Sequence, residues 1–134
     1  MTPAELRRDE AARWLVQARK DLNAARLLAS PEPSRSVFHS QQSAEKAGKA
    51  FLAFHDIPFR KTHDLTELGA QCAAVDPSLA DLFQPASDLT DYAVMFRYLD
   101  APREPDENEA LAALDTAWRV LQRISDLLEP PLQA

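Results

Sequence analysis

Apolar residues recur along this chain at steps of three and four, and prolines interrupt the pattern at intervals. Ala11, Leu15, Ala18, Leu22, Ala25 and Leu28 mark one face of a first helix, which ends before Pro31. Thr2-Pro3-Ala4-Glu5 ahead of them has the spacing of a capping box with proline at the first helical position. A second helix is predicted from near Ser34, with Val37, Gln41, Ala44, Gly48, Phe51 and Leu52 on its inner face. It stops before Pro58, whose ring disfavours helical geometry at Ile57. Asp64-Leu65-Thr66-Glu67 opens a third helix with the same capping spacing, burying Leu65, Leu68, Cys72 and Val75 and ending at Asp76-Pro77.

From Ser78 onward Leu79, Leu82, Phe83, Leu89, Tyr92, Ala93 and Phe96 keep helical spacing, but Pro85 removes a backbone donor and is predicted to kink or divide the element. The stretch from Leu99 to Glu107 carries two prolines and no periodic apolar pattern, so it reads as an acidic surface loop. Leu111, Leu114, Trp118, Leu121, Ile124 and Leu128 then define a strong last helix, with a frayed tail expected over 129–134 from Pro130 and Pro131. No alternating strand pattern and no fixed-period repeat is found. The expectation is an all-α fold, an antiparallel up-and-down helical bundle of four to five helices, formed by one domain over residues 1–134.

Composition narrows the classes of function. With 134 residues and 46% hydrophobic content, one compact core needs no metal or cross-link to form. The single cysteine, Cys72, forms no intramolecular disulfide, and no apolar run approaches the ~20 residues of a membrane span. The first residues are charged from position 5 and lack the apolar core of a secretory signal, so a cytoplasmic location is expected. A net charge of −6 argues against a broadly basic nucleic-acid surface. Basic residues do crowd locally at Arg7, Arg8, Arg13, Arg19 and Lys20, and at Arg60 and Lys61; these fit either a small anionic ligand or a solvated, mixed-charge helix surface.

Candidate chemistry concentrates between Phe38 and Leu68, which hold all three histidines. His39 and His55 lie sixteen positions apart on one helix, a backbone separation of roughly 24 Å at 1.5 Å per residue, so they share no ion within a subunit. No HExxH or paired Glu-x-x-His motif occurs, and no metal or cofactor is expected. The reading for His39 and His55 is ordinary polar residues near helix ends. His63 stands just before Asp64 at the mouth of a helix, where it either meets an anion attracted by backbone N–H groups or orders the turn. Gly48 and Gly69 fall inside helices at a cost of about 1 kcal/mol each relative to alanine, so neither makes a phosphate loop; Gly48, beside Ala44 and Ala47, permits close approach of another helix. Gln41, Glu45 and Lys49 rise along one side of the second helix with Gln42 and Lys46 adjacent. That row is either solvated i,i+4 pairing worth about 0.2–0.5 kcal/mol or a polar stripe facing a partner or ligand. Arg97 and Tyr98 end the fourth helix, as a C-terminal cap or as an anion-binding and base-stacking pair.

Taken together, FHSQQSAEKAGKAFL, THDL and YAVMFRY resemble the HEPN family, small all-helical domains named for nucleotide binding in higher eukaryotes and prokaryotes. The resemblance runs from Ala12-Arg13-Trp14-Leu15 and Asp21-Leu22 to the last helix, and the Gln-Gln-x-Ala-Glu-Lys-Ala core is its most specific part. It implies a dimeric bundle with a polar cleft near the dimer interface. Prokaryotic members of the nucleotidyltransferase-associated type are often encoded beside a minimal nucleotidyltransferase and work with it as a toxin-antitoxin or nucleotide-handling pair. Many relatives are ribonucleases with an Arg followed, after four to six intervening residues, by a His. Here Pro102, Arg103 and Glu104 occupy the positions after Arg97 where that His would stand, and no histidine follows residue 63.

What the resemblance implies for this chain is therefore nucleotide or partner binding in a homodimer, acting with a minimal nucleotidyltransferase. Candidate ligand residues are Glu45, Lys49, His63, Arg97 and Tyr98. Lys49 and Arg97 would take phosphate, His63 would serve as an adjustable donor, Tyr98 would stack on a base, and Glu45 would orient Lys49. The alternatives are a divergent metal-independent ribonuclease using His63 with Arg97 on RNA, and a non-catalytic helical adaptor.

Overall fold

The computed structural model describes residues 1–61, 64–95 and 104–133. Five α-helices account for most of them: α1 (Pro3–Leu28), α2 (Pro33–Phe54), α3 (Leu65–Val75), α4 (Ala80–Met95) and α5 (Glu107–Gln133), with a 3-10 turn at Pro77–Leu79 before α4. There is no strand among the described residues. The result is the all-α helical bundle that the periodicity predicts.

Helices α1, α3 and α5 start where a side chain takes up a free backbone N–H, whereas α2 starts after Glu32 without a side-chain cap. Thr2 Oγ accepts from the Glu5 amide at 3.1 Å, with Pro3 at the first helical position. Asp64 accepts from the Thr66 amide at 2.9 Å, but Glu67 does not reach back to close a capping box. Its carboxylate instead binds Arg60 in a two-pronged pair at 2.9 and 3.0 Å. A reciprocal box forms at α5, where Asp106 accepts from the Glu109 amide and Glu109 from the Asp106 amide. At the end of α2 the Ile57 amide bonds to the Leu52 carbonyl and the Asp56 amide to the Ala53 carbonyl. This is a Schellman turn with Asp56, at φ 57°, in the left-handed position usually held by glycine.

Helix α2 is the centre of the bundle and touches each of the other four. It lies antiparallel to α1 along a seam of small residues: Ala11, Ala18 and Ala25 on one side, Ser36, Ser43 and Ala50 on the other, each set spaced by seven and buried. Small side chains let the backbones approach closely enough for Ser36 Oγ to donate to the Ala25 carbonyl at 2.7 Å and Ser43 Oγ to the Ala18 carbonyl at 2.8 Å. Larger residues fill the remaining core. Phe51, Leu15, Leu52, Leu65, Leu68 and Ile124 are fully enclosed, and each contributes roughly 1.5–3 kcal/mol through burial.

Both glycines serve one residue of α4. A Cβ added to Gly69 would fall 2.7 Å from Phe83 Cβ, and one added to Gly48 would fall 3.2 Å from Phe83 Cζ. The Phe83 ring therefore sits in a slot cut by one glycine of α2 and one of α3, which is the close helix approach expected at Gly48.

Three expectations need correction. Pro85 does not divide the fourth element, since α4 runs unbroken through it and the break falls earlier, at the 3-10 turn. The carbonyl left without a donor is that of Asp81, and Asp81 and Pro85 are both exposed. Val75, expected to be buried, is 40% exposed at the end of α3, and α5 extends to Gln133. The two prolines lie in its last turn, where only the carbonyls of Asp126 and Leu127 lose a donor. Finally, the inner face of α5 is set in its first half by Ala110, Ala113 and Ala117, while Leu111 and Trp118 are 45% and 47% exposed. Close packing selected the small stripe over the large one. Phe96, the side chains of Tyr92 and Ala93, and the loop residues from Leu99 to Arg103 lie outside the described residues.

Candidate functional site

Helix α2 buries a row of polar groups that a helical bundle does not need for its core. Gln41 and Glu45 are each 1% exposed, and the Lys49 side chain is 12% exposed. The groups form a chain of hydrogen bonds. Gln42 Nε2 donates to Gln41 Oε1 at 2.8 Å, Gln41 Nε2 donates to Glu45 Oε2 at 3.4 Å, and Lys49 Nζ donates to Glu45 Oε1 at 3.0 Å. The pairing of Glu45 with Lys49 is thus a buried ion pair and not a solvated one. Burying such a pair is costly unless geometry and further hydrogen bonds compensate, and the tandem glutamines supply part of that compensation.

Two aromatic rings that sequence reasoning left out of the site complete it. Lys49 Nζ lies 5.3 Å from the centre of the Trp14 indole and 5.9 Å from that of Phe59, within cation–π range of both. Trp14 and Phe59 meet edge to face at 6.2 Å. Trp14 reaches Lys49 from α1 and Phe59 from the segment after α2, so three parts of the chain hold one ammonium. The signal in the sequence was weak: Trp14 is one large residue in a helix whose buried face is mostly alanine and leucine.

A second cluster sits further along the α1–α2 seam. Asp21 bridges two residues of α2, with Oδ1 at 2.8 Å from His39 Nδ1 and Oδ2 at 2.5 Å from Lys46 Nζ. His39 is therefore an inter-helix partner within α2 and not a solvated residue near its end. It also assigns Lys46 to a different carboxylate from Lys49, although the two lysines are neighbours in the row. His55 caps the end of α2 against the Phe51 ring at 4.5 Å, and partial desolvation lowers its pKa against the opposing pull of Asp76. Among the described residues no group of three His, Cys, Asp or Glu side chains could hold a metal ion, and no helix is long and apolar enough to cross a membrane.

Of the five candidate ligand residues, Glu45 and Lys49 are brought together directly. His63, Arg97 and Tyr98 lie outside the described residues.

The central helix of the bundle thus carries an inward-facing Gln-Gln-x-x-Glu-x-x-x-Lys row. The family model for the HEPN domain matches residues 11–127, and the chain belongs to that family. It is accordingly a helical domain of the nucleotide- and RNA-related kind. No curated protein and no solved structure is a significant match to the chain.

Proposed function

We propose that this chain is a nucleotide-binding or partner-binding domain that works as a homodimer in the cytoplasm with a minimal nucleotidyltransferase, in a toxin-antitoxin-type pair. The observation that carries the reading is the state of Lys49. An ammonium has three donors, and the described residues use one of them, through Glu45. The buried Glu45 carboxylate and the two rings fix the cation in place, so a phosphate oxygen reaching it meets a positioned donor and not a mobile surface lysine. In this reading Glu45 orients Lys49, Arg97 adds a second phosphate contact, His63 is a donor at the helix mouth and Tyr98 stacks on the base.

The ribonuclease pattern of an Arg followed, after four to six intervening residues, by a His is absent from the sequence, so binding is the function assigned in preference to cleavage. Calorimetric titration of the purified chain with the four ribonucleoside triphosphates tests the assignment. Saturable binding of at least one, with Kd below about 1 mM, is expected. Heats indistinguishable from dilution for all four, together with no copurification of a coexpressed nucleotidyltransferase, would remove the reading.

A further inference from the structure

A cavity of about 560 Å³ lies against the outer side of α1, where Glu10, Arg13, Trp14 and Gln17 line it. These four positions follow one another at i, i+3, i+4 and i+7 and form one stripe on the helix, with Ala12 and Val16 beside them also lining the cavity. We infer that this stripe is a nucleobase subsite in which Trp14 offers a stacking surface in addition to Tyr98. The inference rests on the nucleotide-binding reading and deepens it by assigning base recognition to a residue of α1.

Three features carry the argument. First, the indole is a wall between two environments: Lys49 and Phe59 contact it from the bundle, and neither is among the described residues lining the cavity. Trp14 is half-buried, held by the cation and the Phe59 edge, and still contributes to the open space. A ring fixed before the ligand arrives loses little freedom on stacking, which favours binding.

Second, the flanking groups are those that nucleotide recognition uses. Arg13 is exposed, with its side chain 75% accessible, and forms a surface pair with Asp9 at 3.1 Å that an incoming phosphate can displace. Gln17 offers an amide with both donors and an acceptor, and Glu10 a carboxylate acceptor, beside the ring where a base edge would lie. Third, the volume falls within the ~300–1,000 Å³ range of small-molecule sites and accommodates a mononucleotide. An aliphatic or purely anionic ligand would use the volume or the arginine but would leave the indole face idle.

The chain has two tryptophans, and Trp118 lies on the exposed side of α5, so Trp118→Phe leaves Trp14 as the sole indole reporter. Titration of that variant with AMP, GMP, CMP and UMP is expected to quench its emission saturably, purines more tightly than pyrimidines, while ribose 5-phosphate leaves it unchanged. Trp14→Leu keeps an apolar side chain without a π face and is expected to weaken purine nucleotide binding on the order of 10-fold by calorimetry. Arg13→Ala, an exposed change that leaves the core untouched, is expected to weaken AMP several-fold and adenosine hardly at all. Circular dichroism matching wild type qualifies each variant for the comparison, and the Arg13 and quenching measurements stand even if Trp14→Leu does not fold.

Calorimetric binding without Trp14 quenching, or equal affinity in Trp14→Leu, would overturn the subsite and leave nucleotide binding elsewhere intact. Binding of no nucleotide to wild type in calorimetry would overturn both.

Discussion

The Phe83 side chain decides how much room two helices have. At Gly69 an added methyl would collide with Phe83 Cβ, next to the α4 backbone, and nothing short of a helix shift relieves it. At Gly48 the neighbour is the far edge of the ring, which can yield by a few tenths of an ångström. Gly69→Ala should therefore destabilise the fold by about 1–3 kcal/mol, the usual range for overpacking. Gly48→Ala should cost less, because the ~1 kcal/mol gain in helix propensity offsets part of the strain. Urea denaturation of both variants checks the order; a Gly69→Ala protein as stable as wild type would show that the slot is looser than described.

Cys72 is a second residue whose behaviour follows from its surroundings. Its thiol is fully buried, donates to the Gly48 carbonyl at 3.6 Å, and has its pKa pushed up to about 12 by desolvation. The unfolded chain ionises near the ordinary thiol value, so the folded state holds the proton where the unfolded state releases it. The resulting stability is fully present below about pH 8.5 and is lost progressively as pH rises toward 12. A thiol reagent at pH 8 should label the native protein only at the rate of opening, and rapid labelling would contradict the burial. His55 acts with the opposite sign at the acid side. Its lowered pKa contributes stability above about pH 6.5 that is lost as pH falls through the folded value.

Among the elements, α2 carries both the packing and the polar row, and the two are separable by mutation. Removing one member of a buried ion pair has a typical cost of about 3–5 kcal/mol. Lys49→Met should therefore be strongly destabilising through Glu45, whereas Glu45→Gln combined with Lys49→Met should recover much of the loss. A double-mutant cycle by thermal or urea unfolding measures the coupling, and additive single effects would mean that the pair is not held as a unit. The same helix shows what the sequence does and does not make legible. Its limits, its inner face and the spacing of Gln41, Glu45 and Lys49 follow from periodicity and proline. That the row faces inward does not, because Glu and Lys at i,i+4 read equally well as solvent pairs. The partners that bury it, Trp14 and Phe59, are 35 and 10 positions from Lys49 and become neighbours only once α1 folds back along α2. The Schellman turn at Asp56 was hidden for a local reason, since no glycine marks it.

For the whole molecule, the bundle class was legible because capping residues, prolines and apolar steps agree on where helices start and stop. The face of α5 was not, because two stripes share its period and only tertiary packing chooses between Ala110-Ala113-Ala117 and Leu111-Trp118, while Leu114 packs partly against the core. The rejected stripe leaves exposed apolar surface on α5, which is where a second copy would gain most by docking in the proposed homodimer. Light scattering should give a mass near twice 15.0 kDa, shifting toward one chain in Leu111→Glu with Trp118→Glu. A wild-type mass of one chain would count against the dimer without touching the fold.

The central claim is that the positioned Lys49 ammonium is part of a nucleotide site. The most direct measurement is calorimetric titration of ribonucleoside triphosphates into wild type and into the Glu45→Gln, Lys49→Met double variant, with both shown to be folded by circular dichroism. Saturable binding to wild type and at least 10-fold weaker binding to the variant are expected, the scale of one lost charge-assisted hydrogen bond. Equal affinity in the two proteins would contradict the claim.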